Sequence, residues 1–319
     1  MFQKLSHIIS LLLISAFSFN VSAETNPVEQ PITSLVHMQN AFQQQNYSMA
    51  FTYGEESGNY ALNYRHAFDQ QEHYAQLLYL DGPRTEIWQK GNTISYFSAN
   101  YAPFSIRSNN IIDSLPNIVY SNFQQLSQYY DFIPFGKDRV ANRIANVIKL
   151  MPKDEFRYSY AIWIDEQTYL PLRGEVLDRN GNTISQFKVI TLDTLTNPQA
   201  LIAAAKQLRQ PPVVSIYSPN TTDYKWQPSW LPKGFKLVKF NSDGLSPSIE
   251  TQLYSDGLFT FSLYLLEQND MPINEAWRQG IDTLYAEVVN GKTIVLVGQI
   301  PLTTARRIVQ DVKFTGGTQ

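Results

Sequence analysis

Apolar positions recur along this chain at two spacings, one of strands and one of helices, and the switch between them marks out the elements. The clearest stretch is Leu77 to Phe97. Leu77–Leu80 reads as a short strand broken by Asp81-Gly82-Pro83, Thr85–Gln89 as a second broken by Lys90-Gly91-Asn92, and Thr93–Phe97 as a third. Asp-Gly and Gly-Asn suit the positive φ angles of tight hairpin turns, so the stretch is a meander. A sheet with one wet face alternates cleanly between apolar and polar residues. Here Leu77, Tyr79 and Ile87 fall on one parity, and Leu78, Leu80, Trp88, Ile94 and Tyr96 on the other. Both faces are therefore expected to be covered, one by a helix and the other turned to a cavity.

The same short period predicts strands over Tyr47–Tyr53, Tyr60–Phe68, His73–Leu80, Tyr129–Phe135, Arg139–Met151, Arg157–Asp165, Leu170–Leu177 and Thr183–Leu192. In a later block it predicts Lys236–Phe240, Ile249–Tyr254, Leu258–Leu266 and Thr293–Val297. Helical spacing appears four times. Ile32, Leu35, Val36, Gln39 and Phe42 form one stripe; Leu201, Ile202, Ala205 and Leu208 form another, started by Asn197 as cap and Pro198 in the first turn. Asn274 is expected to cap a third helix carrying Trp277, Ile281, Leu284, Tyr285 and Val288, and Pro301 to open a fourth with Leu302, Ala305, Ile308, Val309 and Val312. Asn117–Tyr120 and Phe123–Leu126 suggest short helical turns.

Pro211-Pro212 and the polar run Tyr217–Tyr224 divide these elements into two blocks. The expected organisation is a leader at 1–23, a β-rich domain at 24–210, a linker at 211–225 and a small α+β domain at 226–319. The leader reads as a secretory signal: Lys4, a short apolar core Ile8–Phe17, and Val21-Ser22-Ala23 before the cut. That core is too short to span a bilayer. The chain is thus expected to be exported, and its signal style and lack of cysteine fit a periplasm. With 319 residues and no Cys, it has enough length to bury a core without disulfides. A formal charge of −3 speaks against nucleic acid as a partner.

Candidate chemistry is sparse. Beyond the leader the histidines are His37, His66 and His73, each expected at the surface. None sits near a nucleophile motif, and no H-x-x-x-H, C-x-x-C or EF-hand spacing supports a metal. Glu55-Glu56 and Asp154-Glu155 fall in polar turns. The chain is read as a non-enzyme with no cofactor and no metal. What stands out is 19 Tyr, 18 Phe and 5 Trp. They can simply fill two cores, or some can line a cavity. Tyr158, Tyr160, Ile162 and Ile164 face one way on their strand and Ala161 and Trp163 the other, so this strand too is covered on both sides.

Several segments together resemble the RseB/MucB family: Leu80-Asp-Gly-Pro-Arg84, Gly91-Asn-x-Ile-Ser-Tyr-Phe97, Ile112-Asp-Ser-Leu-Pro116, Tyr129-Tyr-Asp-Phe-Ile133, Arg157-Tyr-Ser-Tyr160, Leu170-Pro-Leu172, Leu177-Asp-Arg179 and Gln186-Phe187. Trp226-x-Pro-x-Trp230-Leu-Pro-x-Gly-Phe235, Leu253-Tyr-Ser-Asp-Gly-Leu-Phe259-x-Phe-Ser262 and Ala305-x-Arg307-Ile308 continue it through the second block. The resemblance implies an α+β protein with an N-terminal unclosed antiparallel β-barrel around helices, like the carriers LolA and LolB, and a small α+β C-terminal domain. It implies a periplasmic regulator of the sigma-E response that binds the periplasmic part of a membrane-spanning anti-sigma factor, shields it from site-1 proteolysis, and is released by lipid or lipopolysaccharide. Self-association is also implied. On this basis Trp88, Ile94, Tyr96, Phe104 and Trp163 are candidates for an acyl-chain lining, and Trp230, Tyr254, Phe259 and Phe261 for the partner surface. The alternative is a periplasmic lipid or lipoprotein carrier, for which the second domain would be superfluous. An esterase or glycosidase is a weaker rival, given the histidine map.

Overall fold

The computed structural model describes residues 30–55, 58–214, 225–242, 249–266 and 275–314. The leader, residues 215–224 of the expected linker and the cap Asn274 lie outside them. Eleven strands form one sheet. In chain order they are β1 (Tyr47–Glu55), β2 (Gly58–Asp69), β3 (Glu72–Tyr79), β4 (Thr85–Lys90), β5 (Thr93–Ser98), β6 (Phe104–Arg107), β7 (Tyr130–Val140), β8 (Arg143–Pro152), β9 (Ser159–Asp165), β10 (Pro171–Leu177) and β11 (Thr183–Thr194). Their spatial order is β6-β5-β4-β3-β2-β1-β11-β10-β9-β8-β7. The chain thus runs outward as one meander, crosses, and returns as a second that ends against the strand it began with. β6 and β7 stay apart as the two ends, so the barrel is unclosed.

Helix α1 (Pro31–Gln44) touches both β2 and the distant end strand β7, which requires the sheet to curl around it. Its buried residues are Ser34, Leu35, Met38, Ala41 and Phe42. The expected stripe is rotated: Val36 is 39% exposed, and Gln39 donates to the Ser121 carbonyl at 3.2 Å. Leu35 and Phe42 fit either phase, and only the enclosing sheet selects the one through Met38. The short helical segments follow as expected, a 3-10 turn at Asn117–Tyr120 and α2 at Phe123–Leu126, with Asn122 capping the latter. Helix α3 (Pro198–Gln207) lies on the opposite, convex face across β2, β3 and β4. Asn197 Oδ1 accepts from Ala200 N at 3.1 Å, and Leu201, Ile202 and Ala205 pack on Ala67, Tyr74 and Trp88. The two-sided apolar pattern of the meander is thus met by one helix inside the sheet and one outside. The run Arg139–Met151 proves to be parts of two strands, β7 and β8, because Ala141 and Asn142 turn with φ of 48° and 61°. An alanine at positive φ leaves no turn signal in the sequence.

The second body pairs β12 (Trp226–Pro228) with β19 (Val312–Phe314). Beside this lies a six-stranded sheet of β13 (Lys236–Ser242), β14 (Ile249–Ser255), β15 (Thr260–Leu266), β16 (Glu275–Gln279), β17 (Asp282–Val289) and β18 (Lys292–Gly298), with α4 (Leu302–Gln310) against β17 and β18. The helix expected after Asn274 is therefore a hairpin, β16–β17. Gly280, at φ 57°, makes its turn. In a helix the same glycine would sit mid-element at a cost of about 1 kcal/mol, and Val288-Val289 favours a strand.

The two bodies share one continuous apolar core, stitched at the seam by a buried arginine. Arg157, in the loop before β9, donates from Nε and Nη2 to the Asp154 carboxylate at 3.1 and 2.8 Å. It also donates from Nη2 to the Lys233 carbonyl at 2.6 Å and from Nη1 to Asp256 Oδ2 at 2.8 Å. The Arg157 and Asp256 side chains are both fully buried. Tyr130 Oη donates to the same Asp256 oxygen at 2.9 Å, while Oδ1 accepts from Leu258 N and Phe259 N. Rings of Tyr129, Tyr130 and Phe235 stand 5.4–5.6 Å from the guanidinium carbon. Tyr158 Oη to Ile300 O at 3.1 Å and Ser121 Oγ to Gly257 O at 2.8 Å also cross the seam. Gly234 belongs to this packing. It sits at φ 95°, and a Cβ there would lie 2.6 Å from the Tyr129 ring.

His66 is a correction to the expected surface position, being only 2% exposed. Its Nδ1 lies 2.8 Å from the Gln45 carbonyl at the end of α1, which assigns the proton to Nδ1; Nε2 then accepts from His73 Nδ1 at 3.2 Å. Burial pushes its pKa down to about 4, the bond to Gln45 opposing and the His73 charge adding.

Two outcomes follow from these contacts. Asp256→Ala leaves Arg157 Nη1, Tyr130 Oη and the Leu258 and Phe259 N–H groups without their buried acceptor, while Asp154 still faces the guanidinium, and should cost about 3 kcal/mol of stability in a denaturant titration. For His66, the folded pKa lies below the unfolded value of about 6.5, so its contribution is complete above that pH and is lost as pH falls towards 4, about 3 kcal/mol in all. Denaturation at pH 7, 5.5 and 4.5 should show this loss, and His66→Phe should flatten it.

Candidate functional site

The candidate lining residues do not form one set. Ile94 and Tyr96 on β5 pair with Ile106 and Phe104 on β6, all on the concave face. The Tyr96 and Phe104 rings stack at 4.8 Å. Tyr96 Oη donates to Asp113 Oδ2 at 2.8 Å, and burial raises its pKa. Trp88 lies on the convex face beneath α3, with Nε1 donating to Glu86 Oε1 at 2.7 Å. Trp163 likewise turns away from Ile162 and Ile164. Its Nε1 donates to Asp138 Oδ2 at 2.9 Å, and the Arg173 guanidinium stands 4.4 Å from its ring. Parity counts only within a strand, and the hairpin between β4 and β5 resets it, so Trp88 pairs with Ser95 and lies opposite Ile94 and Tyr96, while Trp163 lies opposite Ile162 and Ile164 by the alternation of its own strand.

The interior is occupied by the chain itself. Phe42 of α1 stands 5.7, 5.9 and 5.8 Å from the rings of Tyr47, Tyr64 and Tyr120. Tyr47 Oη donates to Phe42 O and Tyr120 Oη to Ile111 O, both at 3.1 Å. Burial holds all three phenols above their usual pKa, so they stay neutral hydrogen-bonding groups within an apolar fill. Open space near them is a cleft of about 500 Å³ between α1 and the Tyr120–Gln124 turn, reached past Ile32 and Val36.

Of the candidate partner residues, Tyr254, Phe259 and Phe261 are 3, 2 and 1% exposed. Phe261 packs 5.2 Å from Phe235 and 5.2 Å from Tyr254. Phe259 meets Tyr158 edge-on across the seam at 6.1 Å. Trp230 alone of the four presents surface. The Arg307 guanidinium lies 3.7 Å over its ring, and Phe156 meets it edge-on at 4.9 Å. The residues that sequence reasoning missed are Arg157 and Asp256. The first sits at the head of a strand-prone run and the second in a Ser-Asp-Gly turn, and neither setting signals burial. Among the described residues, no group of three or more His, Asp or Glu could hold a metal ion.

The description of the MucB/RseB N-terminal domain matches residues 30–221, and that of the MucB/RseB C-terminal domain matches residues 220–313. The sigma-E factor regulatory protein RseB of Haemophilus influenzae is 42% identical over 310 residues, covering 96% of both chains. The protein of the same name in Escherichia coli K12 is 36% identical, covering 95% of this chain and 96% of its own. A solved structure of the Pseudomonas aeruginosa MucA/MucB complex superposes with a TM-score of 0.71 at 22% identity, over 90% of this chain and 99% of that one, and so shares the fold. This chain belongs to the MucB/RseB family.

Proposed function

We propose that this chain is a periplasmic regulator of the sigma-E envelope-stress response. It binds the periplasmic region of a membrane-spanning anti-sigma factor and keeps the site-1 protease from it, and an acyl lipid or lipopolysaccharide releases it. The observation that carries the reading is the near full-length match to proteins named sigma-E factor regulatory protein, through both domains in order. The fold shared with MucB, solved in complex with MucA, supports it. Its relatives are regulatory proteins, and we read the chain as a binder rather than a catalyst. Export follows from the leader at 1–23, and the divide between the two domains falls within 211–225.

Release by lipid is a matter of linkage. A ligand that prefers the partner-free form lowers partner affinity by the same factor that the partner lowers its own, typically 5- to 150-fold. The ligand's acyl chains enter by the cleft beside α1, with Ile94, Tyr96 and Phe104 as the concave wall. A carrier would use the first domain alone, and the seam that fuses the second domain to it favours the regulator.

The test is a pull-down of the mature chain on the periplasmic segment of the anti-sigma factor, with and without lipopolysaccharide. Capture that the lipid reverses is the expected result; lipid binding without capture would make the chain a carrier. Phe104→Ala should weaken the effect of lipid while leaving capture and the thermal midpoint unchanged, and loss of folding would instead mark Phe104 as core.

A further inference from the structure

We propose that the groove centred on Trp230 is where the partner's chain lies, and that it takes an extended, acidic segment; this rests on the partner-binding reading above. Two surface clefts meet at Trp230, one of about 290 Å³ and one of about 360 Å³. The first runs along the solvent face of α4, past Thr303, Arg306 and Arg307. The second runs past Lys233 and crosses the seam to Lys153 and Phe156. Together they make one path from the second domain to the first, with the indole at its midpoint. Its floor is apolar, from Trp230, Phe156, Leu231 and Pro232.

The charge of the path is opposite to that of the chain. The whole sequence carries −3, yet four cations line the clefts against Asp154 and Asp311. Both acids are engaged: Asp154 holds Arg157, and Asp311 Oδ2 accepts from Ser229 Oγ at 2.8 Å. Among the described residues, Arg306, Arg307 and Lys233 have no carboxylate within ion-pair distance. A half-exposed tryptophan held between an arginine and a phenylalanine is the composition that carries binding energy at protein interfaces. Unpaired arginines beside it select carboxylates by bidentate hydrogen bonds. Two clefts that share the Trp230 indole suit a peptide in extended form whose side chains drop into both. Because Asp154 links the groove to Arg157, an occupant also bears on the docked arrangement of the two domains.

The experiment titrates the full mature chain with the anti-sigma factor's periplasmic segment at 50 and 300 mM salt, using wild type, Arg306→Glu/Arg307→Glu and Trp230→Ala. Arg306 and Arg307 are exposed, so the double variant should stay folded at the assay temperature, losing the Arg307 stack on Trp230 and Phe156 but no buried group. It should bind at least tenfold more weakly and with a shallower salt dependence, and segment variants with Asp or Glu changed to Lys should recover part of the loss. Equal binding by wild type and the double variant would overturn the groove while leaving the proposed function standing. Absence of binding by wild type would overturn both. A double variant that still binds the segment but no longer binds vesicles containing phosphatidylglycerol would reassign the groove to lipid headgroups.

Discussion

The contact on which the rest depends is the buried ion pair of Arg157 and Asp256. Taking both charges out of water is costly, and such a pair adds little net stability unless its remaining hydrogen-bonding capacity is met. Here it is met. Asp154, the Lys233 carbonyl and Asp256 take the guanidinium donors, and Tyr130 Oη and two backbone N–H groups saturate Asp256. What the pair supplies is position. It fixes the Ser255-Asp256-Gly257 turn of the second body against the loop before β9 of the first, and Phe259 then reaches Tyr158 and Gly257 reaches Ser121. Two sheets that could have been independent thereby become one core, and the cleft from Trp230 to Lys153 and Phe156 has walls from both bodies.

Much of the fold was legible because its signals are local. Asn197-Pro198 starts α3, and Asp-Gly and Gly-Asn mark the meander, all through contacts within a few residues. Where tertiary context decides, reading failed. The phase of α1 depends on which stripe a curled sheet will enclose, and Leu35 fits both. The segment from Trp277 to Val288 satisfies helical spacing and strand pairing alike, and only Gly280 and the β-branched Val288-Val289 favour the hairpin. Trp88 and Trp163 lie on the convex face because register across several strands, invisible in any one of them, sets the side. His66 looked like a turn-flanking polar residue; a carbonyl at the end of α1 and a second histidine allow it to be buried.

These placements change how the first domain is understood as a receptor. Its concave space is filled by α1 and by Phe42 among three neutral tyrosines, so a guest would share that space with the helix or shift it. The wall of Ile94, Tyr96 and Phe104 shares no lining residue with the cleft beside Val36. The second domain contributes surface instead, through the outward residues of α4 and Trp230.

The unclosed sheet has one more consequence. An open barrel leaves two strands with spare backbone groups, each a template on which a foreign strand could add. The chain deals with them differently. At β6, the residues that follow α3 lie alongside as a partial strand: Ser105 N donates to Pro212 O at 2.8 Å, and Val214 N to Ser105 O at 2.7 Å. At β7, Pro134 removes a donor, and the register slips between Pro134 and Lys137 where Gly136 turns at φ 85°. One rim is sealed by residues 212–214 and the other is made irregular, so both edges of the unclosed sheet are guarded against amyloid-like growth. Removing residues 211–214, which pair beside Phe104 on β6, would unseal the first rim and leave an edge on which another chain could add.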